Sequence, residues 1–74
     1  MEIKVLFYGV LAEVAATSFK HYSDINTLGD LILRISDDYP EIVHYNYRIA
    51  LNSGIIEGEP PLRSGDEVAF LPPL

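Results

Sequence analysis

The sequence predicts an α+β domain, a mixed β-sheet with one main helix packed on one face. Three observations predict it. Two short stretches near the chain ends, EIKVLFY at residues 2–8 and EVAFL at 67–71, alternate two sets of side chains in strand fashion. Only one stretch holds a sustained helical stripe, with Leu28, Leu31, Ile32 and Ile35 at i, i+3, i+4 and i+7. Turn chemistry punctuates the second half at Asn52-Ser53-Gly54 and Ser64-Gly65-Asp66. One sheet with one covering helix is a two-layer design.

In the first strand Ile3, Val5 and Phe7 alternate with Lys4, Leu6 and Tyr8. Lys4 assigns the second set to the outer face, which is therefore oily toward Tyr8. Gly9 ends the strand. Residues 10–17, VLAEVAAT, place Leu11, Val14 and Ala15 at helical spacing over about two turns, too short to persist without tertiary support. Residues 18–22, SFKHY, set Phe19 and His21 against Lys20 and Tyr22, a second strand antiparallel to the first.

Thr27 opens the main helix. Its hydroxyl can cap the free backbone N–H groups, and Asp30, three residues on, can complete a capping box. Arg34, Asp37 and Asp38 face water, and Pro40 stops the helix near Tyr39. Gly29 in the first turn costs roughly 1 kcal/mol relative to alanine, which points to close packing there. Residues 41–46 read equally as a short helical turn or as irregular loop. Residues 47–52 form a third strand, with Tyr47, Ile49 and Leu51 against Arg48 and Ala50. A turn follows, and Ile55-Ile56 begins a return strand. Residues 57–61 are loop, Leu62 plugs the core, and the last strand follows Ser64-Gly65-Asp66. In it Val68 and Phe70 point one way, and Glu67, Ala69 and Leu71 the other. Pro72-Pro73 then ends the ladder.

The first and last strands can lie side by side at the sheet centre if the chain crosses over through the helix. That arrangement is the β-grasp, or ubiquitin-like, roll; element order alone also admits a ferredoxin-like fold. Seventy-four residues make a single domain spanning 1–74, and a 49% hydrophobic fraction allows it a packed core. The last strand leads directly into the chain end, which suggests that this end reaches toward something.

Eleven acidic and five basic residues give a net charge of −6. This argues against nucleic acid and anionic membranes, and fits docking on a basic partner. No apolar run approaches the ~20 residues of a membrane span, and the first residues lack signal-peptide order, so a soluble, cytoplasmic protein is expected. There is no cysteine, and His21 and His44 stand alone, so no metal site or cofactor is expected. No phosphate-binding glycine loop or nucleophile–base set occurs, and the pairs Asp37-Asp38 and Asp66-Glu67 read as capping or solvated groups. The five tyrosines lack interleaved basic residues, so core and interface roles fit them better than base stacking. The residues describe a binding module or carrier with no catalytic residues of its own.

KVLFYGVLAEVAATS at the start, ALNSGII in the middle and LRSGDEVAFLPPL at the end resemble the ubiquitin-like sulfur carriers of the MoaD/ThiS family, closest to the small subunit of molybdopterin synthase. The resemblance spans essentially the whole chain, and GDEVAFLPP is its most specific part. It implies a β-grasp fold and a role in molybdenum cofactor biosynthesis, with the molybdopterin synthase large subunit and an adenylating, activating enzyme as partners. In that family a C-terminal Gly-Gly is adenylated and converted to a thiocarboxylate, and the tail enters the large subunit to deliver sulfur to precursor Z. Glycine suits such a tail because it lacks Cβ and threads a narrow channel.

Here Pro72-Pro73 is followed by Leu74, and no residue takes the place of the activated glycine. Three readings follow: a carrier-like protein that docks without carrying sulfur, a truncated chain, or a carrier working by unusual means. Carried over by position, the family's docking patch falls on Leu6, Tyr8, Ile55 and Leu71, with Pro72, Pro73 and Leu74 beside it. Scattered surface apolars are the alternative for these residues. The alternative functions are a non-carrier β-grasp interaction or regulatory module, or a carrier for another pathway such as thiamine synthesis.

Overall fold

The computed structural model describes residues 1–73. Five strands and two α-helices follow the order β1 Ile3–Phe7, α1 Val10–Ala15, β2 Phe19–Tyr22, α2 Leu28–Asp38, β3 Arg48–Leu51, β4 Gly54–Ile55 and β5 Glu67–Leu71. A 3₁₀ turn, Pro40–His44, links α2 to β3 and resolves the ambiguity at residues 41–46. The sheet order is β2-β1-β5-β3-β4. The first and last strands are central neighbours and run parallel, with Val5 opposite Val68 and Phe7 opposite Phe70. All other pairs are antiparallel. This is the β-grasp arrangement, and it rules out the ferredoxin-like alternative.

The core lies between the sheet and the helices. Ile3, Val5 and Phe7 of β1 and Val68 and Phe70 of β5 meet Leu28, Leu31 and Ile35 of α2, with Leu11 and Ala15 from α1. Phe70 is fully buried and stacks obliquely on Phe7 and Tyr47, at centroid distances of 5.9 and 5.0 Å. Burying one such ring contributes about 1.5–3 kcal/mol. Ile25, Ile42 and Leu62 close the ends of this layer, Leu62 in the plugging role its sequence position suggests.

The capping box forms as expected: Thr27 Oγ1 accepts from the Asp30 amide at 3.0 Å, and Asp30 Oδ2 accepts from the Thr27 amide at 3.2 Å. Close packing at Gly29 has a specific cause. Glu59, from the loop after β4, accepts the Gly29 amide at 2.6 Å, and a Cβ at Gly29 would lie 2.7 Å from that carboxylate oxygen. A carboxylate at a helix N-terminus is favoured by the helix dipole. The far end of α2 is tied to the edge strand: Asp38 accepts from Lys20 Nζ at 2.8 Å and from the Tyr22 hydroxyl at 2.7 Å. Asp38 remains exposed, as its position predicts, but it is engaged. The two hydrogen bonds, Lys20's first, hold the Asp38 carboxyl below its ordinary range. Burial first and Asp38 second push the Tyr22 phenol up.

The β3–β4 connection is a two-residue turn in which Asn52 (φ +48°) and Ser53 (φ +75°) are both left-handed, the geometry that matches hairpin twist. The return strand begins one residue earlier than the alternation suggests, at Gly54, and Ile56 lies beyond it. Asn52 also clasps the start of β5: its Oδ1 accepts the Glu67 amide at 2.9 Å, and its Nδ2 donates to Asp66 at 3.0 Å. Before β5, Gly65 takes φ +89° in the turn closed by the Asp66 amide on the Arg63 carbonyl.

Candidate docking face

The face of the sheet turned away from the helices is assembled by strand register. One row crosses all five strands: Phe19 opposite Leu6, Leu6 opposite Ala69, Ala69 opposite Ala50, and Ala50 opposite Ile55. Every member is apolar. The two alanines are nearly buried despite facing outward, while Phe19 and Ile55 at the ends are about half exposed, 50% and 56%. A second row on the same face is polar, with Lys4 between His21 and Glu67. Lys4 Nζ also lies 5.6 Å from the Phe19 ring centroid.

A third row lies toward the end of β5. Leu71 pairs with Arg48, and Tyr8, just past β1, donates its amide to the Phe70 carbonyl at 3.2 Å. Here Tyr8, Arg48, Ile55, Leu71, Pro72 and Pro73 line a groove of about 490 Å³. The exit of the tail is set by contact with the first turn. Gly9 has φ +56° and ψ −133°, and a Cβ there would stand 2.9 Å from Pro72 Cγ. Glycine permits both that backbone and that approach.

Of the residues singled out from the sequence, Tyr8, Ile55, Leu71, Pro72 and Pro73 come together in the groove, and Leu6 lies in the adjoining apolar row. Leu74 falls outside the described residues. Sequence reasoning missed Phe19, Ala50, Ala69 and Arg48 as parts of this face. Their strand parity was legible, but which outward residue stands beside which depends on register between strands far apart in sequence.

Chemically the face offers burial and shape. Among the described residues no polar or charged side chain is buried, and no cluster of His, Cys, Asp and Glu could hold a metal ion. Among the described residues no helix is long and apolar enough to cross a membrane.

The sequence profile of the ThiS family matches residues 5–74. No curated protein matches the chain. Among solved structures, a chain assigned as molybdopterin converting factor subunit 1 from Pyrococcus furiosus superposes with a TM-score of 0.89 at 19% identity, over 100% of this chain and 99% of that one. At that identity the likeness is one of fold. A chain from the complex of subunits 1 and 2 of molybdopterin-converting factor from Helicobacter pylori gives 0.78 at 26% identity, over 100% and 96%. The small archaeal modifier protein 1 of Methanosarcina acetivorans gives 0.85 at 27% identity, over 99% and 93%.

Proposed function

This chain belongs to the ThiS family, and from that premise we propose that it acts as the small-subunit-like partner of a molybdopterin synthase-type complex in molybdenum cofactor biosynthesis. In this reading Leu6, Tyr8, Ile55, Leu71, Pro72 and Pro73 dock on a large subunit, and the same face serves an activating enzyme, both in the cytoplasm. One observation carries it: β5 runs along the sheet centre and delivers its final residues beside an apolar groove. An exposed apolar patch of this kind marks an interface. The Helicobacter pylori relative, taken from a complex of subunits 1 and 2, supports a large subunit as the partner.

Co-elution with a molybdopterin synthase large subunit tests the proposal. Tyr8→Asp and Leu71→Asp each place a charge in the apolar contact and should weaken the complex at least about tenfold. Both positions lie outside the buried core, so circular dichroism should show an intact fold. Unchanged complex formation by both variants sinks the docking assignment. A second reading, a β-grasp modifier or interaction module without sulfur transfer, is favoured by the 27% identity to a small archaeal modifier. Intact-mass detection of a thiocarboxylate after incubation with an activating enzyme and sulfur donor would remove it.

A further inference from the structure

We infer that Arg48 makes the docking groove selective for a carboxylate, so that the partner segment seated there carries an Asp or Glu side chain beside its apolar anchor. The inference rests on the docking reading above and adds what the partner must present. Arg48 is the one charged residue lining the groove; the others are Tyr8, Ile55, Leu71, Pro72 and Pro73. It is exposed and, among the described residues, has no acidic side chain within salt-bridge distance. On the same face Lys4 stands opposite Glu67 and over the Phe19 ring, whereas Arg48 stands opposite Leu71 on the groove side.

On the other side of β3 the ladder pairs Ala50 with Ile55 and Leu51 with Gly54, and the Ile56 amide donates to the Ile49 carbonyl at 3.0 Å, so the register continued past β4 brings Glu57 opposite Arg48. Glu57 shares a second, shallower hollow with Arg48 at that edge, but does not come within ion-pair range. Among the described residues of a protein of net charge −6, Arg48 thus lines an apolar groove without a salt bridge. A guanidinium presents a planar fork of donors that matches a carboxylate. Its apolar neighbours exclude water on one side and strengthen the pairing. A phosphate-rich ligand fits poorly, since a single arginine must hold it against the overall negative charge.

The test needs no purified partner. Two blocked tripeptides, Ac-Leu-Glu-Leu-NH₂ and Ac-Leu-Gln-Leu-NH₂, differ only in the carboxylate. Each is titrated into the isotope-labelled protein at millimolar concentration while the Arg48 Nε–H and the Ile55 and Leu71 methyl signals are followed by NMR. The glutamyl peptide should bind about three- to fivefold more tightly than its glutaminyl twin. In Arg48→Gln the two affinities should converge to within about twofold, with an unchanged amide spectrum elsewhere. Equal affinities in the wild type, shifts confined to another face, or a preference that survives Arg48→Gln would overturn the inference, as would binding by neither peptide. Failure of the large-subunit co-elution, by contrast, strikes the proposed function and leaves this peptide preference standing.

Discussion

Replacing Asn52 separates two contributions that meet at one residue. Asn52 sits at φ +48° in the β3–β4 turn and joins that turn to β5 through two side-chain hydrogen bonds. Both bonds are exposed, so water replaces them in part, and each contributes about 0.5–1 kcal/mol. Asparagine tolerates the left-handed region better than alanine, a difference of about 1 kcal/mol. Asn52→Ala should therefore destabilise the fold by about 2–3 kcal/mol, a fall in Tm of about 10–20 °C for a domain this small. Asn52→Gly loses the same hydrogen bonds but keeps the left-handed backbone free of strain, and should cost about 1–2 kcal/mol. Urea denaturation followed by circular dichroism, with m held constant, measures both. If the two variants agree within error, backbone conformation contributes nothing at this position. If Asn52→Ala costs under about 0.5 kcal/mol, the clasp on β5 is decorative.

Further outcomes follow from the same geometry. Ser53 (φ +75°) and Ala16 (φ +56°) occupy left-handed positions without a favourable side chain, so Ser53→Gly and Ala16→Gly should each raise stability by about 0.5–1 kcal/mol, read as a higher urea midpoint. Gly9→Ala should do the reverse, costing about 2 kcal/mol or more through its backbone and its collision with Pro72, and should weaken docking through the displaced tail. Phe70→Ala empties the centre of the core and should cost about 3–5 kcal/mol in the same denaturation assay. The carboxyls of Asp38 and Asp66 are both held low, Asp38 by hydrogen bonds from Lys20 and Tyr22, Asp66 by those from Asn52 and the Arg63 amide. A depressed carboxylate stabilises the fold above its unfolded value and loses that contribution as pH falls through its folded value. Stability should thus decline below about pH 5, and Asp38→Asn with Asp66→Asn should flatten that decline in a pH series of melts.

Much of the fold was legible because its signals are local. The alternation in residues 2–8 and 67–71 gives β1 and β5, and Thr27 with Asp30 marks the start of α2 to the residue. The 3₁₀ turn at Pro40–His44 was legible only as one of two readings, since five residues around a single buried Ile42 show no period. The tie between Glu59 and Gly29 was visible only as an unexplained glycine, because its partner lies 30 positions away. The docking face divides the same way. Tyr8 and Leu71 are outward by parity within their own strand regions, but the neighbours that make a continuous apolar row come from other strands. Arg48 was legible only as alternating with Tyr47 and Ile49 in β3; its place as the one cation among the residues lining the groove emerges only when β3 is laid against β5.

β5 is hydrogen-bonded on both sides, to β1 and to β3. Remove it, and what remains is two separate antiparallel pairs, β1–β2 and β3–β4, with no shared ladder. The keystone of the sheet is thus the element a ribosome makes after all the other strands, and its parallel partner is the first strand to emerge. Pairing β1 with β5 is the longest-range closure in the sheet, the kind of contact that slows folding. The apolar row stitched across all five strands exists only once that closure is complete, so a partner that docks on it as proposed would select for finished molecules.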